Sequence, residues 1–225
     1  MKSSQIACKV PLERFKRKVL NPVKYDGNGR LYSAISNFPK VLLPALSYDG
    51  LPLMELDMSN AQFTLLAHAL CNQSLDNPIS QYANKIKFDT TSTDFKKFSD
   101  LAASGKLYEE VRDNFDLQDR DTAKEFLFTM IFGLPKHNTS DAPIHSLFSS
   151  VNDFARRFKL YTGDYKSFAN ALQRIESDLF IRHILKQLHS LNLPVATKHD
   201  ALLFPSSFFN IFYYNLIKEL NRVLA

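Results

Sequence analysis

The sequence predicts an α+β fold in which a small antiparallel sheet, one strand near residue 55 and a hairpin near residue 200, is set in a mainly helical chain. Three observations predict it. Residues 53–58 form a short apolar run between Pro52 and Ser59-Asn60 and read as a strand running into a helix. Residues 195–204, bounded by Pro194 and Pro205, read as two short strands joined by a tight turn at His199-Asp200. The segments between them carry helical periodicity with recognisable caps.

In chain order, residues 26–52 are punctuated by Gly27, Gly29, Pro39, Pro44, Gly50 and Pro52 and read as loops with short extended pieces. After the strand, Ser59 or Asn60 is expected to cap a helix whose apolar residues are Phe63, Leu66, Ala67 and Leu70. Residues 72–93 are polar and show little pattern. Short helices follow over 94–103, ended by Gly105, and over 107–114. Asp119 caps a helix reaching about Phe132 and stopped by Gly133 and Pro135. A further helix spans 144–158, and the longest covers 165–191 with Leu172, Ile175, Leu179, Ile184, Leu188 and Leu191 as its core stripe. Ser206 or Ser207 caps a closing helix that runs to Leu224.

Composition excludes several classes. With 225 residues, 45% of them hydrophobic and 12% aromatic, the chain can bury a real core and is not disordered or low-complexity. Cys8 and Cys71 have no clustered partners, so neither a zinc site nor a disulfide framework is encoded, and a reducing compartment fits. No apolar run reaches the roughly 18 residues of a membrane span. No signal peptide opens the chain, and a cytoplasmic, membrane-free protein is expected. The net charge of +5 is uneven: residues 1–30 hold eight bases against two acids, leaving 20 bases and 21 acids for the remainder. That basic arm suits phosphate contact, and a solvated arm without a partner accounts for it equally.

Chemistry concentrates in three places. Asp57 ends an apolar strand, where a buried carboxylate costs several kcal/mol unless paired or metal-bound. Asp200 lies at the hairpin tip. Two carboxylates at strand ends of one sheet suit Mg²⁺, which keeps its other positions for water and substrate phosphates. Taken singly, Asp57 also fits a turn or helix cap, and Asp200 a turn residue. In the helix over 119–132, Arg120, Lys124, Phe128 and Phe132 recur every four residues and form one slowly winding stripe, cationic then aromatic. Such a stripe fits triphosphate oxygens followed by a sugar and base. By spacing alone, an amphipathic helix with a buried aromatic end explains it too.

Together these features resemble motifs A, B and C of the family A polymerases, the group of bacterial DNA polymerase I and its phage relatives, to which single-subunit phage-type RNA polymerases are similar. Asp57-Met-Ser-Asn-Ala-Gln62, followed by Phe63-Thr-Leu-Leu-Ala-His-Ala-Leu70, resembles motif A. Arg120-x-x-x-Lys124-x-x-x-Phe128-x-x-x-Phe132-Gly133 resembles motif B. Leu172-Gln173 and Lys198-His199-Asp200-Ala201 resemble the glutamine helix and the His-Asp-Glu hairpin of motif C. Gly29-Arg30-Leu31-Tyr32-Ser33 and Asn37-Phe38-Pro39 are weakly similar to the region before motif A. The resemblance spans about residues 29–204.

The resemblance implies a template-directed nucleotidyltransferase, a minimal DNA polymerase extending a primer 3′-hydroxyl on a primed DNA template with dNTPs. Two Mg²⁺ ions would be held by Asp57, Asp200 and the Met58 carbonyl. Arg120 and Lys124 would bind the triphosphate, Lys124 also neutralising the leaving group. Phe128 and Phe132 would pack on the incoming nucleotide, with Gln62 as a sugar gate. His199, Gln173, Gly133 and Arg30 would touch primer or template. Gln62 stands where the DNA enzymes carry glutamate, Phe132 where they carry tyrosine, and Ala201 replaces the second acid of motif C. An RNA-synthesising or primase-like activity therefore stays open, as does a catalytically silent nucleic-acid-binding protein, while a metal-dependent nuclease leaves the motif B helix unexplained. Only 56 residues precede Asp57, too few for the family's thumb. The implied organisation is a basic arm (1–30), a first palm part (31–70), helical fingers (71–160) and a second palm part (161–225). A mobile element, plasmid or phage would encode such a reduced core, with a protein partner replacing the thumb.

Overall fold

The computed structural model describes residues 24–33, 35–36, 38–138, 140–198 and 201–224. Most of the basic arm, Asn37 and both His199 and Asp200 lie outside the described residues. The architecture is α+β, as expected: helices with a small four-stranded antiparallel sheet and a separate two-stranded hairpin. The chain divides into two compact units, Ser59–Ile175 on the one hand and Met1–Met58 with Glu176–Ala225 on the other.

The unit Ser59–Ile175 is helical. It contains α1 (Ala61–Cys71), α2 (Pro78–Ile86), α3 (Thr93–Ala103), α4 (Leu107–Asn114), α5 (Arg120–Phe132) and α6 (Ser149–Thr162), together with most of α7 (Ser167–Ser177). Its core is aromatic, with Phe63, Phe95, Phe98, Phe148, Phe154 and Phe168 fully buried. The sequence reading groups the α1 segment with the first palm part, but α1 packs within the helical unit because Phe63, Leu66 and Leu70 are buried in this core. Asp119 caps α5 as expected, its Oδ1 accepting the Thr122 backbone N–H at 2.7 Å.

Three local expectations need correction. Residues 72–93, read as patternless, contain α2: Asn77 caps it by accepting the Ser80 N–H at 2.9 Å, Pro78 pre-sets its first turn, and Ile79, Tyr82 and Ala83 supply a buried face. That face is only three residues wide, and the polar residues around it conceal it. The helix expected from Ile144 begins at Ser149, because Pro143–Ser146 form a 3₁₀ turn. The Asp94 carboxylate then caps α6 from α3, accepting from the Ser150 N–H at 2.7 Å and from the Ser149 and Ser150 hydroxyls. At the start of α1, Asn60 holds the cap position with φ +54° and its side chain makes no capping bond. Strand turns into helix within three residues there, which demands a left-handed residue, and asparagine tolerates one.

The second unit is built on a four-stranded antiparallel sheet. Its N-terminal hairpin pairs β1 (Lys24–Tyr25) with β2 (Leu31–Tyr32). The sheet contains β3 (Ser47–Tyr48), β4 (Leu51–Asp57), β5 (Ala196–Lys198) and β6 (Ala201–Pro205) in the order β3-β4-β6-β5. Register decides the faces. Asp57 pairs with Ala201 and Lys198 also pairs with Ala201, so these three residues form a row on one face. Leu203, on the same face, packs with Phe38, Leu43 and Leu46. On the other face, Phe204 stacks at 3.8 Å on Phe212 of a closing helix. The expected long helix is realised as α7, a π-helical segment Asp178–Leu185 and α8 (Lys186–Ser190), with α9 (Phe209–Leu224) closing the chain. Leu179, Ile184 and Leu188 are buried as expected, whereas Leu191 is exposed because it falls beyond the helix end.

Candidate functional site

The sheet unit carries the predicted carboxylates. Asp57 is the last residue of β4 and is exposed, so the expectation of a buried carboxylate is corrected. The cause is geometric: Asp57 lies at the end of the strand, where the sheet gives way to the turn into α1. The pairing of Lys198 with Ala201 leaves a two-residue connection, His199-Asp200, whose own structure lies outside the described residues. Met58 follows Asp57 and is half-buried. Among the described residues no three His, Cys, Asp or Glu side chains gather into a metal-holding group. Two carboxylates and one carbonyl, with water and phosphate oxygens completing the shell, are nonetheless the kind of hard-oxygen set that Mg²⁺ accepts. Lys198 points elsewhere: its Nζ donates to the Phe38 carbonyl at 2.9 Å and ties β5 to the segment before β3.

The helical unit carries the predicted nucleotide stripe. Arg120 and Lys124 are exposed at the start of α5, and Phe128 and Phe132 are half-buried at its end. The two phenylalanine rings lie 5.1 Å apart, and both rest on Phe63 of α1, Phe128 edge-on at 5.3 Å and Phe132 stacked at 5.4 Å. The aromatic end of the stripe is thus anchored in the core, as the amphipathic explanation expects, and keeps partial exposure. Arg120 is held by α4, its Nε donating to Glu109 Oε1 at 2.9 Å and its guanidinium lying 4.8 Å over the Tyr108 ring. That ion pair is exposed on both sides, worth at most about 1 kcal/mol, and exchangeable for an anionic ligand. Gln62, next to Phe63 in α1, is half-buried.

The other residues expected to touch primer or template are placed as follows. Arg30 sends Nη2 to both oxygens of Glu176, at 3.0 and 3.2 Å, and Glu176 is buried at 3% exposure. Gln173 is half-buried on α7. Gly133 ends α5 with φ −68°, a conformation open to any residue, so close approach rather than backbone freedom would be its use.

Three residues that the sequence reading did not select shape the site. Phe63 reads from sequence only as core, yet it backs both Phe128 and Phe132. Glu109 holds Arg120. Lys159 is 1% exposed, and its Nζ donates to the carbonyls of Ile131 at 2.6 Å and Gly133 at 2.8 Å, closing the last turn of α5 with a cation where the helix dipole is negative. Burial lowers its pKa to about 8. Its signal is present in the sequence: Lys159 falls four residues after Ala155 and eight after Val151, on the apolar face of α6.

No family model, curated protein or solved structure matches the chain. Among the described residues, no helix is long and apolar enough to cross a membrane.

Proposed function

We propose that the chain is a template-directed nucleotidyltransferase of the DNA polymerase type, joining dNTPs to a primer 3′-hydroxyl. The observation that carries the reading is the sheet register: Asp57 at the end of β4 is opposite Ala201, the residue that follows Asp200. Asp57 thus lies opposite the strand residue that follows Asp200 in the sequence. The cation-to-aromatic stripe on α5, with its rings braced by Phe63, lends independent support.

Asp57, Asp200 and the Met58 carbonyl would hold Mg²⁺. The bound ions would lower the pKa of the primer hydroxyl and offset charge on the departing pyrophosphate. Arg120 would exchange its Glu109 partner for a phosphate oxygen, a step made easy by the exposure of the pair. Lys124 Nζ, exposed one turn further on, would neutralise or protonate the leaving group. Phe128 and Phe132 would pack against the sugar and base, held by rings whose positions are already set before any ligand binds.

The test is primer extension by the full chain on a primed DNA template with Mg²⁺ and separate dNTP or NTP pools. Extension with dNTPs is expected. Asp57→Ala should reduce it by at least about a thousandfold, roughly 4 kcal/mol of transition-state stabilisation, with the melting curve unchanged because the side chain is exposed. Exclusive use of NTPs would move the assignment to RNA synthesis. Full activity in Asp57→Ala would end the nucleotidyl-transfer reading.

A further inference from the structure

We propose that the groove between the β1–β2 hairpin and helical residues 181–189 binds a single strand of nucleic acid. The inference goes beyond nucleotidyl transfer and does not depend on it. The groove has a volume of about 790 Å³, and all its walls belong to the sheet unit. One wall is a single helical face carrying Arg182, Lys186 and His189, spaced by four and three residues and all exposed. Arg182 lies in the π-helical segment, a local widening that is frequent at functional sites.

The facing wall is small and flat. Tyr25 presents its ring at 64% exposure, and a side chain added at Gly27 would meet no neighbouring atom, so the floor beside it is open. Asp26 is the acid of the lining, and its carboxylate is turned into its own hairpin. Its Oδ1 accepts from the N–H groups of Asn28 at 2.8 Å and Arg30 at 2.9 Å, and its Oδ2 accepts from the Tyr32 hydroxyl at 3.4 Å. Arg182 is paired with Asp178 at 3.1 Å, an exposed pair that a phosphate can replace at little cost. His189 contributes through shape, since its Nε2 lies 3.0 Å from the Val195 carbonyl.

Cations on one wall and an exposed ring on the other match a ligand that alternates phosphates with flat bases. Free phosphate would leave the ring unused, and a paired duplex would hide its bases from it. The sequence adds a second observation. Residues 2–18, which precede β1 in the sequence, carry six bases against one acid.

The experiment measures fluorescence anisotropy of labelled 20-mers of oligothymidylate, oligouridylate and a blunt duplex with the full chain, without metal, across a salt series. Tighter binding of the single strands than of the duplex is expected, the two single strands reporting whether the sugar matters. Tyr25→Ala should weaken it about tenfold. Arg182→Gln with Lys186→Gln should lower the slope of log K against log salt by about 1.4, near 0.7 per lost phosphate contact. Single-strand binding by the wild-type chain together with absent primer extension by that same chain would retain this groove and remove the polymerase reading. Duplex binding equal to or tighter than single-strand binding, or groove variants that bind and titrate with salt like the wild type, would overturn the proposal.

Discussion

In the helical unit, Phe63 alone meets the rings of Phe98, Tyr108, Phe128 and Phe132. In the sheet unit, the N-terminal hairpin is tied to the buried Glu176 carboxylate by Arg30, and β5 is held by its pairing with β6 and by Lys198 on the Phe38 carbonyl. The comparison separates two ways of positioning chemistry. Phe128 and Phe132, the proposed recognition residues, are the outer edge of a packed aromatic core, so their placement is spread over many contacts, each worth little by itself. The carboxylate end of the sheet depends instead on strand register, where a shift of one residue would carry Asp57 to the opposite face. Packing makes the first region tolerant of change in detail. Register makes the second all-or-none.

The comparison can be broken from either side. The largest expected effect is in the helical unit: Phe63→Ala should destabilise the protein by about 4 kcal/mol, because a fully buried ring leaves a cavity among four others. A loss under about 1 kcal/mol on denaturant unfolding would mean that the aromatic cluster does not hold α5 against α1.

Next, Arg30→Met should cost about 3 kcal/mol by taking the guanidinium from the buried Glu176 carboxylate, and adding Glu176→Gln should recover much of it. Equal stability of the single and double variants would show that the pair is not what fastens the hairpin.

A third effect sharpens the comparison through pH. Lys159 has its pKa lowered by burial from 10.5 to about 8. Between those values the unfolded chain binds a proton that the folded chain has released. The contribution of this group to stability therefore rises with pH from about 8 to 10.5, and it is flat on either side. Unfolding curves of the wild type and Lys159→Met, measured across pH 7 to 11, should diverge in that window. Parallel curves would show that Lys159 keeps an ordinary pKa in the folded protein.

Legibility followed the same division. In the helical unit, caps and periodicity were enough: Asp119 and Gly133 bounded α5 as read, and the segment 107–114 matched α4 residue for residue. Asn77-Pro78 and the spacing of Ile79, Tyr82 and Ala83 were equally local, but lay in a stretch whose polarity masked them. The split of the expected helix at 144 was harder, because a 3₁₀ turn obeys nearly the same short-range pattern as a helix start. In the sheet unit, β4, β5 and β6 could be read from short apolar runs, whereas the edge strand β3 and the exposure of Asp57 could not. Exposure at a strand end depends on where the sheet stops, and that is a property of three strands together.

Sequence alone determined the α+β class, the helix bounds set by local caps, and the four-residue stripe of Arg120, Lys124, Phe128 and Phe132, since each depends on neighbours within about two turns. Only tertiary structure decided that Asp57 stands in register with Ala201, that Arg30 is bound to Glu176, and that a buried Lys159 closes the last turn of α5. Those outcomes join residues 26 to 146 positions apart, and partners so distant are chosen by the burial and pairing demands of the whole fold, which no local pattern encodes.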